Sequence, residues 1–116
     1  MAKRKTKLQK CFEEFNGKYF DDRLHDVSLS WADKPKVDGS IVSAYCYCPD
    51  DLYKEHRIVL ARNLMRRSWM WQLVLLHEMV HLDLYLKGTE EDDFHGPLFN
   101  AEMLRLAKIG ALNGLW

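Results

Sequence analysis

Residues 68–88 of the chain are SWMWQLVLLHEMVHLDLYLKG, and this stretch decides the fold. Apolar residues lie on most sides of a helix drawn through it, which predicts that the helix runs through the centre of the domain. Ser68 is a suitable N-cap, and Gly88 is expected to end the helix. A membrane-spanning helix is excluded because polar residues interrupt the apolar run. They are Gln72, His77, Glu78, His81 and Asp83.

Two histidines in this helix have the spacing of metal ligands. His77 and His81 differ by about 40° around the helix axis and by about 6 Å along it, so both imidazoles can reach one Zn²⁺ ion at about 2.0–2.1 Å. Glu78 leaves the helix beside the metal, where it can hold a water molecule and take its proton as a general base. A carboxylate is costly to bury in an apolar helix without a purpose. The alternative is two surface histidines and a glutamate on a partly exposed stripe.

A catalytic zinc ion needs a third protein ligand and an open fourth position. The candidates downstream of the motif are Glu90, Glu91, Asp92, Asp93, His95 and Glu102. His95 is favoured because it lies at the start of the last predicted helix, where the backbone can hold it in place. The acidic loop before it can also bring a carboxylate to the ion. His25 and His56 lie in polar, turn-like segments and are expected to be solvated.

The remaining segments predict an α+β fold with a small three-stranded sheet. A first amphipathic helix begins near Leu8 and ends at Asn16-Gly17 or near Phe20. Strands are predicted at residues 27–31, 41–48 and 57–61, with a turn at residues 35–39. In the second strand, Cys46 and Cys48 are expected to face the core.

The last predicted helix begins at Gly96-Pro97 and is closed by Gly110. Its inward-facing residues are expected to be Leu98, Ala101, Leu104 and Ile109. The complete order is therefore an N-terminal helix, a small sheet, the central helix and a C-terminal helix, within one domain over residues 1–116.

Charge and cysteine content limit the classes of function. Seventeen basic residues balance seventeen acidic ones, so net charge gives no argument for a nucleic-acid or membrane partner. The basic residues nevertheless form an N-terminal cluster (Lys3, Arg4, Lys5, Lys7, Lys10) and a second cluster (Arg62, Arg66, Arg67). Such clusters are usually solvated surface. Three cysteines cannot form a complete disulfide framework, and no apolar segment follows the basic start. We therefore expect an intracellular protein, in the cytoplasm, nucleus or nucleoid, that is not secreted.

Two motifs in this chain form a specific signal when they occur in the same sequence. They are LLHEMVH at residues 75–81 and FHGPLF at residues 94–99. Further segments that match are FNGKYF at residues 15–20, the strand around Trp31, the strand at residues 57–60, and residues 103–105. Together they resemble the SprT-like metalloprotease domain over nearly the whole chain. The same domain is the catalytic part of Spartan, a protease of DNA–protein crosslinks.

The resemblance implies a zincin-like minimal metalloprotease domain. In this family the two histidines of the HExxH motif and the histidine of the H-G-P segment bind zinc, which implies His77, His81 and His95 as ligands and Glu78 as the catalytic residue. It also implies a role in repair of DNA–protein crosslinks, with DNA binding through the two basic clusters. Family members often continue into a zinc ribbon, and Cys46 and Cys48 lack the second cysteine pair that a ribbon requires.

Two further expectations concern substrate and function. An extended peptide can add to the edge of a sheet, and the strand at residues 57–61, directly before the zinc helix, is the candidate edge. The alternative to a peptidase is a non-enzymatic, zinc-stabilised adaptor domain that binds DNA or protein. A structural zinc site has no need of a base such as Glu78, which favours the enzyme.

Overall fold

Three helices and five short strands form the described part of the chain, which confirms the α+β class. The structure is a computed structural model that describes residues 6–25, 27–47, 56–87 and 96–111. The helices are α1 (Lys7–Tyr19), α2 (Ser68–Leu86) and α3 (Pro97–Lys108). The strands are β1 (Val27–Ala32), β2 (Lys36–Val37), β3 (Ser40–Ile41), β4 (Ala44–Tyr47) and β5 (His56–Ala61). A 3-10 helix, Arg62–Arg66, joins β5 to α2.

The main sheet has the strand order β1-β5-β4, with β5 in the middle. β5 pairs in parallel with β1, where Val27 faces His56, and antiparallel with β4, where Ala44 faces Leu60. The prediction that residues 57–61 form an edge strand is therefore wrong. All positions from 58 to 61 are buried, as is typical of a strand covered on both faces. The edges of this sheet are β1 and β4.

The second predicted strand, residues 41–48, is divided in the structure. Ile41 belongs to β3, which pairs with β2 as a two-stranded hairpin, and β4 begins only at Ala44. The hairpin turn contains Asp38 at φ 50° and Gly39 at φ 82°. Positive φ at both central residues is the backbone of a type I′ turn, which matches the twist of paired strands. The predicted turn at residues 35–39 is thus a short hairpin.

Side-chain hydrogen bonds stabilise helix α1 at both ends. The hydroxyl of Thr6 accepts a hydrogen bond from the Gln9 backbone N–H at 3.1 Å and caps the first turn. Near the other end, the buried Asn16 side chain donates to the Leu24 carbonyl at 2.9 Å and accepts from the Leu24 N–H at 3.1 Å. The helix continues past Asn16 to Tyr19, because this side chain holds the returning chain against it.

Helix α2 runs through the centre of the domain, as predicted, and contacts α1, α3, β4 and β5. Exposed positions occur only at its ends, at Ser68, Trp69 and Leu86. Arg67, not Ser68, is the N-cap, and its side chain makes no capping hydrogen bond. The preceding 3-10 helix sets this start, because the Arg67 N–H donates to the Leu64 carbonyl at 3.2 Å. Gly88 lies outside the described residues.

A buried ion pair ties α2 to the segment after α1. Asp83 is 1% exposed, and its carboxylate accepts hydrogen bonds from the Arg23 Nε at 3.3 Å and the second guanidinium nitrogen at 3.1 Å. Lys87 Nζ lies 3.0 Å from the same carboxylate. This pairing raises the pKa of Arg23 above its ordinary value. Two cations therefore neutralise one carboxylate that solvent does not reach.

Helix α3 buries a different face from the predicted one. Phe99 and Leu106 are buried, and Met103 packs against the core between them. The expected inward residues are exposed: Leu98, Ala101, Leu104 and Ile109. Gly110 closes the helix as predicted, at φ 86°. The Ala111 N–H donates to the Leu106 carbonyl at 2.9 Å, as in a Schellman motif.

Of the described cysteines, Cys11 is a free thiol. Burial raises the pKa of Cys11 to about 11, which keeps it protonated at neutral pH. Cys46 packs against the core from β4, as predicted, and Cys48 lies outside the described residues. No helix in the described ranges is long and apolar enough to cross a membrane. The intracellular location stays a prediction.

Candidate active site

The imidazoles of His77 and His81 converge on one side of α2. Their Nε2 atoms lie 3.1 Å apart, and both side chains are half-buried. This separation is shorter than twice a zinc–nitrogen bond of about 2.0–2.1 Å, so one ion can contact both nitrogens. Imidazole nitrogen is also a preferred donor for zinc. The pair therefore fits two positions of a zinc site.

Glu78 lies beside this pair and is enclosed by the domain. Its residue is 7% exposed, and burial raises the pKa of its carboxyl group to about 7. No hydrogen bond or ion pair joins the carboxylate to another residue in the described ranges. A buried carboxyl group with no structural partner and a pKa near neutrality has the properties of a general base.

Phe99 is a part of the site that was not predicted. Its ring centroid lies 4.5 Å from that of His81, with an angle of 23° between the ring planes, so the two rings are stacked. The centroid of the His77 ring is 4.8 Å away, and the angle between those planes is 61°. The two imidazoles are themselves 4.8 Å apart, so the three rings form one cluster between α2 and α3. The available signal was the second apolar stripe of α3, in which Phe99, Met103 and Leu106 recur at helical spacing.

The sequence model of the SprT-like family matches residues 8–114, which is nearly the whole chain. The chain belongs to the SprT-like family. The resemblance identified in the sequence is thus confirmed. This family is generally associated with metallopeptidase-like function and is often associated with zinc. No curated protein matches the chain.

The third ligand of this SprT-like chain stays a prediction. His95 lies outside the described residues, as do the alternatives Glu90, Glu91, Asp92 and Asp93. Glu102 is described, and its carboxylate binds Arg105 at 2.9–3.0 Å. Within the described ranges no group of three or more His, Cys, Asp or Glu side chains is placed to hold a metal ion. The structure thus brings together two of the three predicted ligands.

The other two described histidines differ from each other. His25 is exposed, as predicted. His56 is not in a turn but is the first residue of β5, where it is half-buried. Its ring lies 5.9 Å from the Tyr85 ring, and its Nδ1 is shielded without a hydrogen-bond partner among the described residues. The prediction of a solvated His56 is therefore wrong.

The second basic cluster of the SprT-like chain lies on the 3-10 helix and the residue after it. Arg62 forms an ion pair with Asp33 at 2.9 Å. Arg66 and Arg67 are exposed, and neither forms an ion pair with another described residue. Lys7 and Lys10 of the N-terminal cluster are exposed on α1, whereas Lys3, Arg4 and Lys5 lie outside the described residues.

Proposed function

We propose that this SprT-like chain is a zinc-dependent endopeptidase with a zincin-like active site. His77, His81 and His95 would hold the ion, and Glu78 would be the general base. The observation that supports this most strongly is the 3.1 Å convergence of two imidazoles beside a buried carboxylate on the same helix. Bound zinc supplies Lewis-acid chemistry, which polarises the scissile carbonyl and makes water a stronger acid.

Glu78 moves one proton in this reaction. Its carboxylate accepts a proton from the attacking water as the water oxygen bonds to the carbonyl carbon. The carbon–nitrogen bond then breaks, and Glu78 returns the proton to the leaving amine nitrogen. A base with a pKa of about 7 can both accept and return a proton at neutral pH. Its buried position also limits competition from bulk water for the same proton.

The second candidate function is a non-enzymatic adaptor whose zinc ion holds α2 and α3 together. A structural zinc site is usually closed by four protein ligands, whereas a catalytic site keeps one position open. Three predicted histidines and an adjacent buried carboxylate favour the catalytic arrangement. Metal content and hydrolysis of an unfolded protein, measured on the wild type and on Glu78→Gln protein, separate the two functions.

The edge of β4 is the proposed binding site for the substrate backbone. The Ala61 N–H donates to the Ser43 carbonyl at 2.7 Å, which makes these two residues a hydrogen-bonded antiparallel pair. Along two antiparallel strands, hydrogen-bonded residue pairs alternate with pairs that are not hydrogen-bonded. The next residue, Ala44, therefore directs its N–H and carbonyl away from β5. Because α2 contacts β4, an extended peptide added at this edge would run beside the metal-binding helix.

Replacing Ala44 with proline is expected to raise the KM for an unfolded protein substrate by about three- to tenfold. Proline removes one outward N–H, and a hydrogen bond contributes about 0.5–1.5 kcal/mol. The fold should survive, because proline is tolerated at the first residue of an edge strand. Ala44→Gly is the matched control, since it retains the N–H. Unchanged kinetics in folded Ala44→Pro protein would exclude this edge as the substrate site.

Binding of DNA, and action on DNA-bound or DNA-crosslinked proteins, is a further part of the proposal. It is supported by the exposure of Arg66 and Arg67 without an ion-pair partner among the described residues. Phosphate contacts by such cations would make the affinity fall steeply with salt concentration. The N-terminal basic cluster would supply further phosphate contacts.

The double substitution Arg66→Ala, Arg67→Ala is expected to weaken duplex DNA binding at low salt. Each lost phosphate contact reduces the slope of log affinity against log salt by about 0.9, so two contacts reduce it by about 2. Fluorescence anisotropy over a salt series measures both quantities. Arg57→Ala, which removes an exposed arginine of β5, is the control. The DNA proposal is abandoned if the wild type does not bind DNA at low salt.

A further inference from the structure

The Phe99 side chain contacts both imidazoles of the candidate site from a different helix. Phe99 is 5% exposed and belongs to the first turn of α3, whereas His77 and His81 belong to α2. Its ring centroid is 4.5 Å from that of His81 and 4.8 Å from that of His77. These separations are within or at the lower limit of the range in which aromatic rings attract each other. One buried ring therefore restrains two rings at once.

An imidazole needs such restraint if it is to bind metal in a fixed geometry. The outer torsion angle of a histidine side chain has a broad energy minimum, so the ring turns easily about it. Groups behind the ligands usually fix this angle, and loss of one such group typically weakens metal binding by about 10–100-fold. The stacked ring of Phe99 prevents His81 from turning towards α3. The tilted contact limits His77 in the same way.

We propose that Phe99 is a positioning residue that holds the imidazoles of His77 and His81 in the arrangement that binds one metal ion. The inference rests on the proposed function and adds a residue to it. Because Phe99 is in the first turn of α3, the same packing restrains the start of that helix relative to the ligand pair. One side chain thus contributes both to the packing of α3 and to the geometry of the ligands on α2.

Co²⁺ titration of Phe99→Leu protein tests this inference, because the visible absorption of Co²⁺ reports the geometry of its ligands. We expect the affinity to fall by about tenfold, at the lower end of the range for such groups. We also expect the absorption bands to change in position or intensity, which a loss of stability alone would not cause. Leu98→Ala is the matched control, since Leu98 is the exposed neighbour of Phe99, and it should leave both readouts unchanged.

Circular dichroism and thermal unfolding show whether the variant is folded. If Phe99→Leu does not fold, Phe99→Met takes its place, because the flexible methionine side chain can fill an irregular gap without a planar face. Proton NMR of the metal-free wild type adds a test without substitution. The ring protons of His81 should be shifted upfield, since they lie over the face of Phe99, and ordinary shifts would overturn the inference.

The Co²⁺ titration distinguishes a failure of the positioning role of Phe99 from a failure of the proposed function. A wild type that binds Co²⁺, with a folded Phe99 variant of equal affinity and identical spectrum, overturns the positioning role and leaves the proposed function standing. A wild type that takes up neither Co²⁺ nor Zn²⁺ overturns the proposed function and this inference together. A weaker, spectrally altered Phe99 variant beside an unchanged Leu98→Ala variant supports both.

Discussion

Glu78→Gln protein is expected to bind zinc as the wild type does and to hydrolyse an unfolded protein about 10²–10⁴-fold more slowly. The amide has nearly the same shape as the carboxyl group, but it cannot accept the proton of the attacking water. The ligand nitrogens of His77 and His81 are untouched by the change. Their 3.1 Å convergence should therefore persist, and metal analysis should find the same zinc content.

A matched substitution on the surface controls for this experiment. Glu14→Gln makes the same chemical change at an exposed position of α1, where Glu14 pairs with Lys18 at 2.8 Å. It should retain both zinc and activity. If Glu78→Gln retained full activity while the wild type lost it to a chelator, Glu78 would not be the base. If the wild type bound zinc but cleaved no unfolded protein, the adaptor function would be favoured instead.

Arg23→Ala is expected to lower the free energy of unfolding by about 3 kcal/mol. Removing one cation from a buried carboxylate leaves its charge incompletely compensated, here the carboxylate of Asp83, which is 1% exposed. The cost should lie at the lower end of the range for such pairs. The Arg23 side chain is itself 38% exposed, and Lys87 still reaches Asp83 at 3.0 Å. Urea unfolding, followed by circular dichroism, measures the difference.

Two comparisons make the test of this ion pair specific. Lys18→Ala removes one partner of an exposed pair and should change the free energy of unfolding far less than Arg23→Ala does. Replacing both Arg23 and Asp83 with apolar residues of similar volume should recover much of the loss, because no charge is then stranded. A cost for Arg23→Ala as small as that for Lys18→Ala would show that Lys87 or solvent compensates the Asp83 carboxylate without Arg23.

The parts of the fold with strong local signals were predicted correctly. The apolar run of residues 69–86 predicts a central helix, and α2 is that helix. The i, i+4 spacing of His77 and His81 predicts that their rings meet, and they do. These inferences depend only on helix geometry within one segment. Such geometry is the same whatever surrounds the helix.

Two predictions that required the arrangement of several elements were wrong. Helical spacing identifies two apolar stripes on α3, and only tertiary packing selects the stripe with Phe99 and Leu106 over the stripe with Leu98 and Leu104. The order of strands in the sheet is likewise not local. A continuous apolar run at residues 58–61 is nevertheless typical of a central strand, and this signal could have placed β5 correctly.

The contributions of distant residues could not be predicted from spacing. Arg23 and Asp83 are separated by 60 positions, and the contact of Phe99 with the histidines joins two helices. Asp83 did carry a signal, since an acidic residue of an apolar helix that lies outside the HExxH motif needs a cation nearby. That signal does not indicate which of the chain's many cations supplies the charge.

The scarcity of exposed positions on α2 has a consequence for how this helix tolerates change. Exposed positions lie only at Ser68, Trp69 and Leu86, and all positions between them are buried or half-buried. A substitution there alters a packed volume, a buried charge or a reacting group, with almost no neutral surface on which changes could accumulate. Substitutions that change the chemistry of the site are therefore better tolerated in the elements around α2 than in the helix itself.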